Sequence, residues 1–131
     1  MGLLVTGLYA SLTGLLVLAL SYRVVKYRRA NAIGIGSGGN KDLSLAMRVH
    51  GNLLENAPIV LILFAAAEFN GMPSYLLHVF GTLWIVARLL HAIGLTKGKG
   101  GYHFGRFWGV LTTWAILLGL SVANLGFFIG L

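Results

Sequence analysis

Four apolar stretches, each of about 20 residues or more and separated by short polar or glycine-bearing links, constrain this chain more than any other feature of it. At ~1.5 Å of rise per residue, each is long enough to cross a ~30 Å hydrocarbon core as an α-helix. Backbone polar groups in lipid must be satisfied internally, which leaves helices or closed barrels. Segments of this length do not suit barrel strands. The reading is an all-α, integral membrane four-helix antiparallel bundle, a single transmembrane domain over residues 1–131 with helices over about 3–25, 43–69, 75–95 and 105–131. A soluble bundle would need continuous polar faces that the first and fourth segments lack.

The charges fall at the links. Ten Lys and Arg stand against three Asp and Glu, a formal net charge of +7. Arg23, Lys26, Arg28, Arg29, Lys41 and Arg48 surround the first link, and Lys97, Lys99 and Arg106 surround the third. The second link, Asn70-Gly71-Met72-Pro73-Ser74, has no basic residue and follows Glu68. By the positive-inside rule the first and third links are cytoplasmic and both termini lie outside, as in a multi-pass protein of a bacterial inner membrane. This distribution is what topology requires and forms no recognition motif, so no nucleic-acid partner is expected. The first segment reads as a retained span, because it lacks a basic leading region and its positive cluster comes afterwards. The glycine-rich first link, Asn31 to Asn40, reads as a flexible turn, with no strand-to-helix unit around it to make a phosphate loop.

Several polar residues remain once topology is accounted for. Arg48, Asn52 and Glu55 fall within the second span, and Arg88 and His91 within the third, where such groups should face the bundle interior, an interface or a water-filled cavity. At ~100° per residue, Asn52 lies about 40° from Arg48 and Glu55 about 20° to its other side, so the three form one stripe. Arg88 and His91 share a face at i, i+3, with Trp84 and Leu95 extending it. Given the alternating directions of the spans, these residues and Arg106 converge at one depth near the basic end. Such a cluster suits a small polyanionic or zwitterionic ligand, with arginines for carboxylates, Glu55 for an ammonium group and Asn52 for an amide. The competing structural reading is that Glu55 simply pairs with Arg48 or Arg88. His78 and Glu68 lie toward the opposite end and read as structural. No His, Asp or Glu spacing makes a metal site, and with no cysteine the chain has no thiol of its own. Small residues at Gly7, Ser11 and Gly14 and at Gly119, Ala123, Gly126 and Gly130 imply close helix packing, within the chain or between subunits.

The segments YASLTGLLVLALSYRVVKYRR, AMRVHGNLLENAPIVLIL and ARLLHAIGL, with Arg48-x-x-x-Asn52-x-x-Glu55 followed by Pro58 and with Arg88-x-x-His91, resemble the MAPEG family (membrane-associated proteins in eicosanoid and glutathione metabolism). The likeness is to its short bacterial members and its microsomal glutathione transferases. It implies a homotrimer with glutathione as cosubstrate, bound between neighbouring subunits near the cytoplasmic face. It further implies a membrane-bound glutathione transferase, with possible glutathione-dependent peroxidase activity, acting on small lipophilic electrophiles or lipid hydroperoxides drawn from the membrane lipids. Carried over by position, Arg48, Asn52, Glu55, Arg88 and His91 would hold glutathione, one of Lys26, Arg28 and Arg29 would join them, and Arg106 would stabilise the thiolate. The alternative within the same family is a non-enzymatic lipid-binding or scaffold protein.

Overall fold

The computed structural model of the chain describes residues 2–131, and it is all helix and links. α1 runs over Leu4–Asn31, α2 over Lys41–Phe69, α3 over Ser74–Lys97 and α4 over Phe104–Phe128. These are 28, 29, 24 and 25 residues long. At ~1.5 Å per residue they span about 36 to 44 Å, and all four are long and apolar enough to cross a bilayer. The chain is thus an all-α, four-helix membrane-spanning bundle. α1 continues past Val25 for nearly two more turns, so that Lys26, Arg28 and Arg29 sit on a helix and not in a loop. It stops at Ala32, which adopts the left-handed conformation (φ 53°) and returns its N–H to the Arg28 carbonyl.

Local chemistry fixes the other ends. Asn40 caps α2, its side-chain oxygen accepting from the Leu43 N–H at 2.9 Å, and Asp42 adds a negative charge to the first turn. Gly71, at φ 95°, lets the chain reverse between α2 and α3 within a few residues. His103 caps α4, with Nδ1 accepting from the Gly105 N–H at 3.0 Å, which gives that histidine a structural role. At the non-basic end Glu68 reaches across from α2 to the start of α1, accepting from the N–H groups of Val5 and Thr6 at 3.0 and 2.8 Å and from the Thr6 hydroxyl at 2.7 Å. A carboxylate on unsatisfied helix N-terminal donors ties the two helices together.

The helices do not close in chain order. α1 packs on α2 and α3, α4 packs on α3 and α2, α2 touches α3, and among the described residues α1 and α4 do not meet. The perimeter therefore runs α1, α2, α4, α3, with α2 and α3 across the short diagonal. α1 and α3 run parallel, joined at three levels. The Tyr9 hydroxyl lies 2.8 Å from Nδ1 of His78, the Trp84 indole N–H donates to the Thr13 hydroxyl at 3.0 Å, and Arg23 donates to the Thr96 hydroxyl at 3.1 Å. Trp84, Phe64, Leu53, Val49, Val60, Leu77 and Leu120 fill the interior.

Near the basic end α3 and α4 meet backbone to backbone. A Cβ on Gly109 would lie 2.7 Å from the Ala87 carbonyl and 2.8 Å from the His91 nitrogen, one on Gly105 would lie 2.6 Å from the Leu90 carbonyl, and one on Gly94 would run into the Arg106 nitrogen. Of the small residues that the pattern offered for packing, Gly7 and Gly14 have nothing within 4 Å, and Gly130 lies beyond α4 at φ 83°. Gly119 meets the Phe80 ring. α1 turns a different face inward, that of Thr6, Tyr9, Thr13 and Leu20. A Gly109→Ala substitution is expected to cost about 1–3 kcal/mol, because the methyl has only backbone to displace. Thermal unfolding in detergent checks this. Gly14→Ala should leave the fold of the single chain unaffected.

Candidate functional site

The centre of the candidate site is Arg88, in the half of α3 that leads to the basic end. It is only 2% exposed, and His91, one turn on, is 3% exposed. Both project inward with Trp84, Ala87 and Leu95, as the i, i+3 and i+4 spacings require. One Arg88 terminal nitrogen donates to the side-chain oxygen of Asn52 on α2 and lies 3.4 Å from Nδ1 of His91. The other donates to the Thr113 hydroxyl on α4 at 3.3 Å, and that hydroxyl in turn donates to the Gly109 carbonyl at 2.8 Å. The guanidinium carbon stands 5.5 Å from the centre of the Trp84 ring, a cation–π approach. Trp84 is itself held by Thr13, whose hydroxyl donates to the Tyr9 carbonyl at 2.7 Å. Three helices thus fix one guanidinium through neutral partners.

No carboxylate forms an ion pair with that cation, although Glu55 lies near enough for its charge to be felt. Among the described residues the only ion pair joins Arg48 to Glu55, and Nε of Arg88 is buried with no hydrogen-bond partner. A buried cation with a donor to spare favours an anion brought close to it, since attraction grows as water is excluded.

Arg48 and Glu55 take a different position. The stripe read from the sequence divides at its inner edge. Asn52 turns in to Arg88, while Arg48 and Glu55 stay on the outer surface of α2 and pair with each other at 2.7 Å. Their side chains are 53% and 57% exposed on the single chain. Two charges within a membrane-spanning helix do not face acyl chains without large cost, so this surface belongs against a water-filled space or another chain.

Arg106 lies on the first turn of α4, half-buried. It donates to the carbonyls of Gly100 and Gly101 in the third link and makes no bond to Arg88, His91 or Glu55. It lines an apolar groove of about 340 Å³ together with Tyr102, His103, Phe107, Val110 and Trp114. The basic residues after the first span are not gathered to the cluster within one chain. Arg28 donates to the carbonyls of Gly36 and Ile33 and lies 3.6 Å from the Met47 sulfur, so it secures its own link. Lys26 and Arg29 are exposed. One chain therefore assembles Arg88, Asn52 and His91, places Arg48 and Glu55 beside them on the surface, and holds Arg106 at the end of the adjoining helix.

Thr113 and Thr13 escaped the sequence reading. A threonine in an apolar helix ordinarily bonds its own preceding turn, and nothing local distinguishes one that also serves an arginine on the preceding helix, as Thr113 does, or a tryptophan two helices on, as Thr13 does. Thr113→Val would strand an Arg88 donor in the interior at a cost of about 1–3 kcal/mol, and Thr113→Ser should restore most of it. Unfolding midpoints of the two variants test the pair.

The sequence matches a known family. The MAPEG family model matches residues 6–126, a stretch that contains every residue of the cluster. Over 126 residues the chain is 35% identical to Inner membrane protein YecN of Escherichia coli K12, covering 93% of this chain and 91% of that protein. The protein of the same name in Escherichia coli O6:H1 gives the same figures. With a family model spanning nearly the whole chain and relatives aligned over about nine-tenths of both sequences, the chain belongs to the MAPEG family.

Proposed function

We propose that the protein is a membrane-bound glutathione transferase with glutathione-dependent peroxidase activity, acting on small lipophilic electrophiles or lipid hydroperoxides. The observation behind this reading is the buried Arg88 guanidinium, held by neutral partners, lacking an ion-pair partner and keeping one donor unused. Membership of a family named for glutathione metabolism selects glutathione among the anionic peptides that would suit it. In this reading a glutathione carboxylate approaches Arg88, Asn52 and His91 orient it, and Arg48 and Glu55 exchange their mutual pair for the ligand's second carboxylate and its ammonium group. The exposed pair on α2 is then covered by a second copy of the chain, and three copies form a closed trimer with the ligand between neighbours. One of Lys26, Arg28 and Arg29 from the adjacent copy completes the shell. The protein lies in a bacterial inner membrane, as the relatives' name says of them, with its basic links in the cytoplasm and its termini outside.

The chemistry needs only a borrowed thiol and a cation to ionise it. A free thiol has a pKa near ~8.5, and a guanidinium beside it stabilises the thiolate. Arg106 supplies that charge from the lining of an apolar groove. In transfer, the thiolate forms a carbon–sulfur bond to the electrophile as the leaving group departs with the bonding pair. In peroxide reduction, the thiolate attacks the outer oxygen of a lipid hydroperoxide and the O–O bond breaks. The alkoxide takes a proton, and the sulfenic acid formed is reduced by a second glutathione to glutathione disulfide and water. A non-enzymatic lipid-binding or scaffold role is the second reading. It is favoured by the Arg48 and Glu55 side chains satisfying each other and by Arg106 being engaged with link carbonyls.

Purified protein in detergent should bind glutathione saturably, and absence of binding overturns the proposal. Arg106→Ala, provided it remains assembled, should keep binding while losing about tenfold or more of its turnover of a generic electrophile at neutral pH. Its activity should recover as pH rises toward ~8.5, because a thiolate without the guanidinium forms only there. Binding with no turnover at any pH would favour the scaffold reading.

A further inference from the structure

A second basic site lies away from the Arg88 cluster. Where α1 and α3 run side by side at the basic end, a groove of about 310 Å³ opens on the outside of the bundle, lined by Arg23, Ala92, Ile93, Thr96 and Lys97. Arg23 does not hang free there. It donates to the Thr96 hydroxyl at 3.1 Å, which itself donates to the Ala92 carbonyl, and the guanidinium carbon lies 5.8 Å from the centre of the Tyr27 ring. One of five possible donors is used on Thr96, which leaves four for another partner in a groove that Lys97 also lines. No carboxylate lines it. Two cations, one of them held in place, create a site for an anion.

The surface below the groove is apolar for the depth of one leaflet. On α3, Ile93, Leu89 and Val86 are 49%, 44% and 46% exposed, and on α1 the exposed Leu12 lies within about 20° of Arg23 around the helix. From Lys97 to Val86 is about 16 Å along the helix, half of a ~30 Å hydrocarbon core. A soluble anion would use only the cations, whereas a lipid would use both parts.

We propose that the α1–α3 groove binds one anionic glycerophospholipid from the leaflet at the basic end, its phosphate between Arg23 and Lys97 and its acyl chain along Ile93, Leu89 and Val86. Basic pockets between helices at the cytoplasmic end of a membrane protein are suited to such headgroups, and each well-placed cation adds appreciably to the attraction. The site is independent of the glutathione reading, since none of its residues belongs to the Arg88 cluster.

The test is native mass spectrometry of the detergent-solubilised protein titrated with dioleoylphosphatidylglycerol or dioleoylphosphatidylcholine. The wild-type protein should retain the anionic lipid roughly tenfold or more over the zwitterionic one. Arg23→Ala/Lys97→Ala should reduce retention to the zwitterionic level, while Lys99→Ala, outside the groove, should not. If the double variant fails to assemble, Lys97→Ala alone, at an exposed position, makes the same comparison. Thr96→Val, which keeps both charges and frees Arg23, should weaken retention by a smaller factor. Equal retention of the two lipids, unchanged retention in the groove variants, or displacement of the lipid by an equimolar amount of glycerol 3-phosphate would each overturn the proposal. Glutathione binding by the groove variants should match the wild type.

Discussion

A guanidinium deep in an apolar bundle has to be hydrogen-bonded, and the bonds Arg88 donates to oxygen are all to other helices. Asn52 comes from α2 and Thr113 from α4, while Trp84, one turn back on α3, is itself oriented by Thr13 of α1. Every helix therefore contributes to the surroundings of one side chain. A shift of any helix by a fraction of a turn would leave a charged donor unsatisfied in a medium that offers no water, at a cost greater than that of losing an ordinary apolar contact. The register of the bundle and the direction of the cation are the same fact.

The close approach of α3 and α4 makes this geometry possible. Gly94, Gly105 and Gly109 bring the two backbones together beside His91 and at the start of α4. Thr113, one turn beyond Gly109, is thereby near enough to take a hydrogen bond from Arg88. The same contact sets Arg106 at the end of α3, within the basic half of the bundle. Glycines here act by letting a polar side chain reach across a helix pair, in addition to their effect on packing.

What could be read from the residues was what depends on spacing along one helix. Four apolar runs predict four spans, and angular position groups Arg48, Asn52 and Glu55 on one stripe and Arg88 with His91 on another, of which Asn52, Arg88 and His91 turn inward while Arg48 and Glu55 stay on the surface. The retreat of Glu68 and His78 into structural roles followed from their distance along the chain from the cluster. What could not be read was what depends on which helices meet. Nothing in the pattern reveals that α1 pairs in parallel with α3 and not with α4, since that pairing rests on single hydroxyls and an indole. For the same reason the small residues of α1 were not the ones used inside the chain, while Gly94, Gly105 and Gly109, spread over two segments, were. Whether Glu55 prefers Arg48 or Arg88 depended on rotamers, and the answer is Arg48.

That choice bears on how the chain enters a membrane. The Arg48 and Glu55 side chains belong to one helix, two turns apart, so their pair forms as α2 forms and travels with it. A segment carrying a cation and a carboxylate then presents almost no net charge to the hydrocarbon while it is inserted, and needs no other helix for that purpose. Arg88 has no such companion on α3. Asn52 on the preceding helix is already available when α3 arrives, whereas Thr113 is supplied only by the helix that follows. Biogenesis in chain order would thus leave the central cation half-satisfied until α4 is in place, making the last span the one that locks the interior.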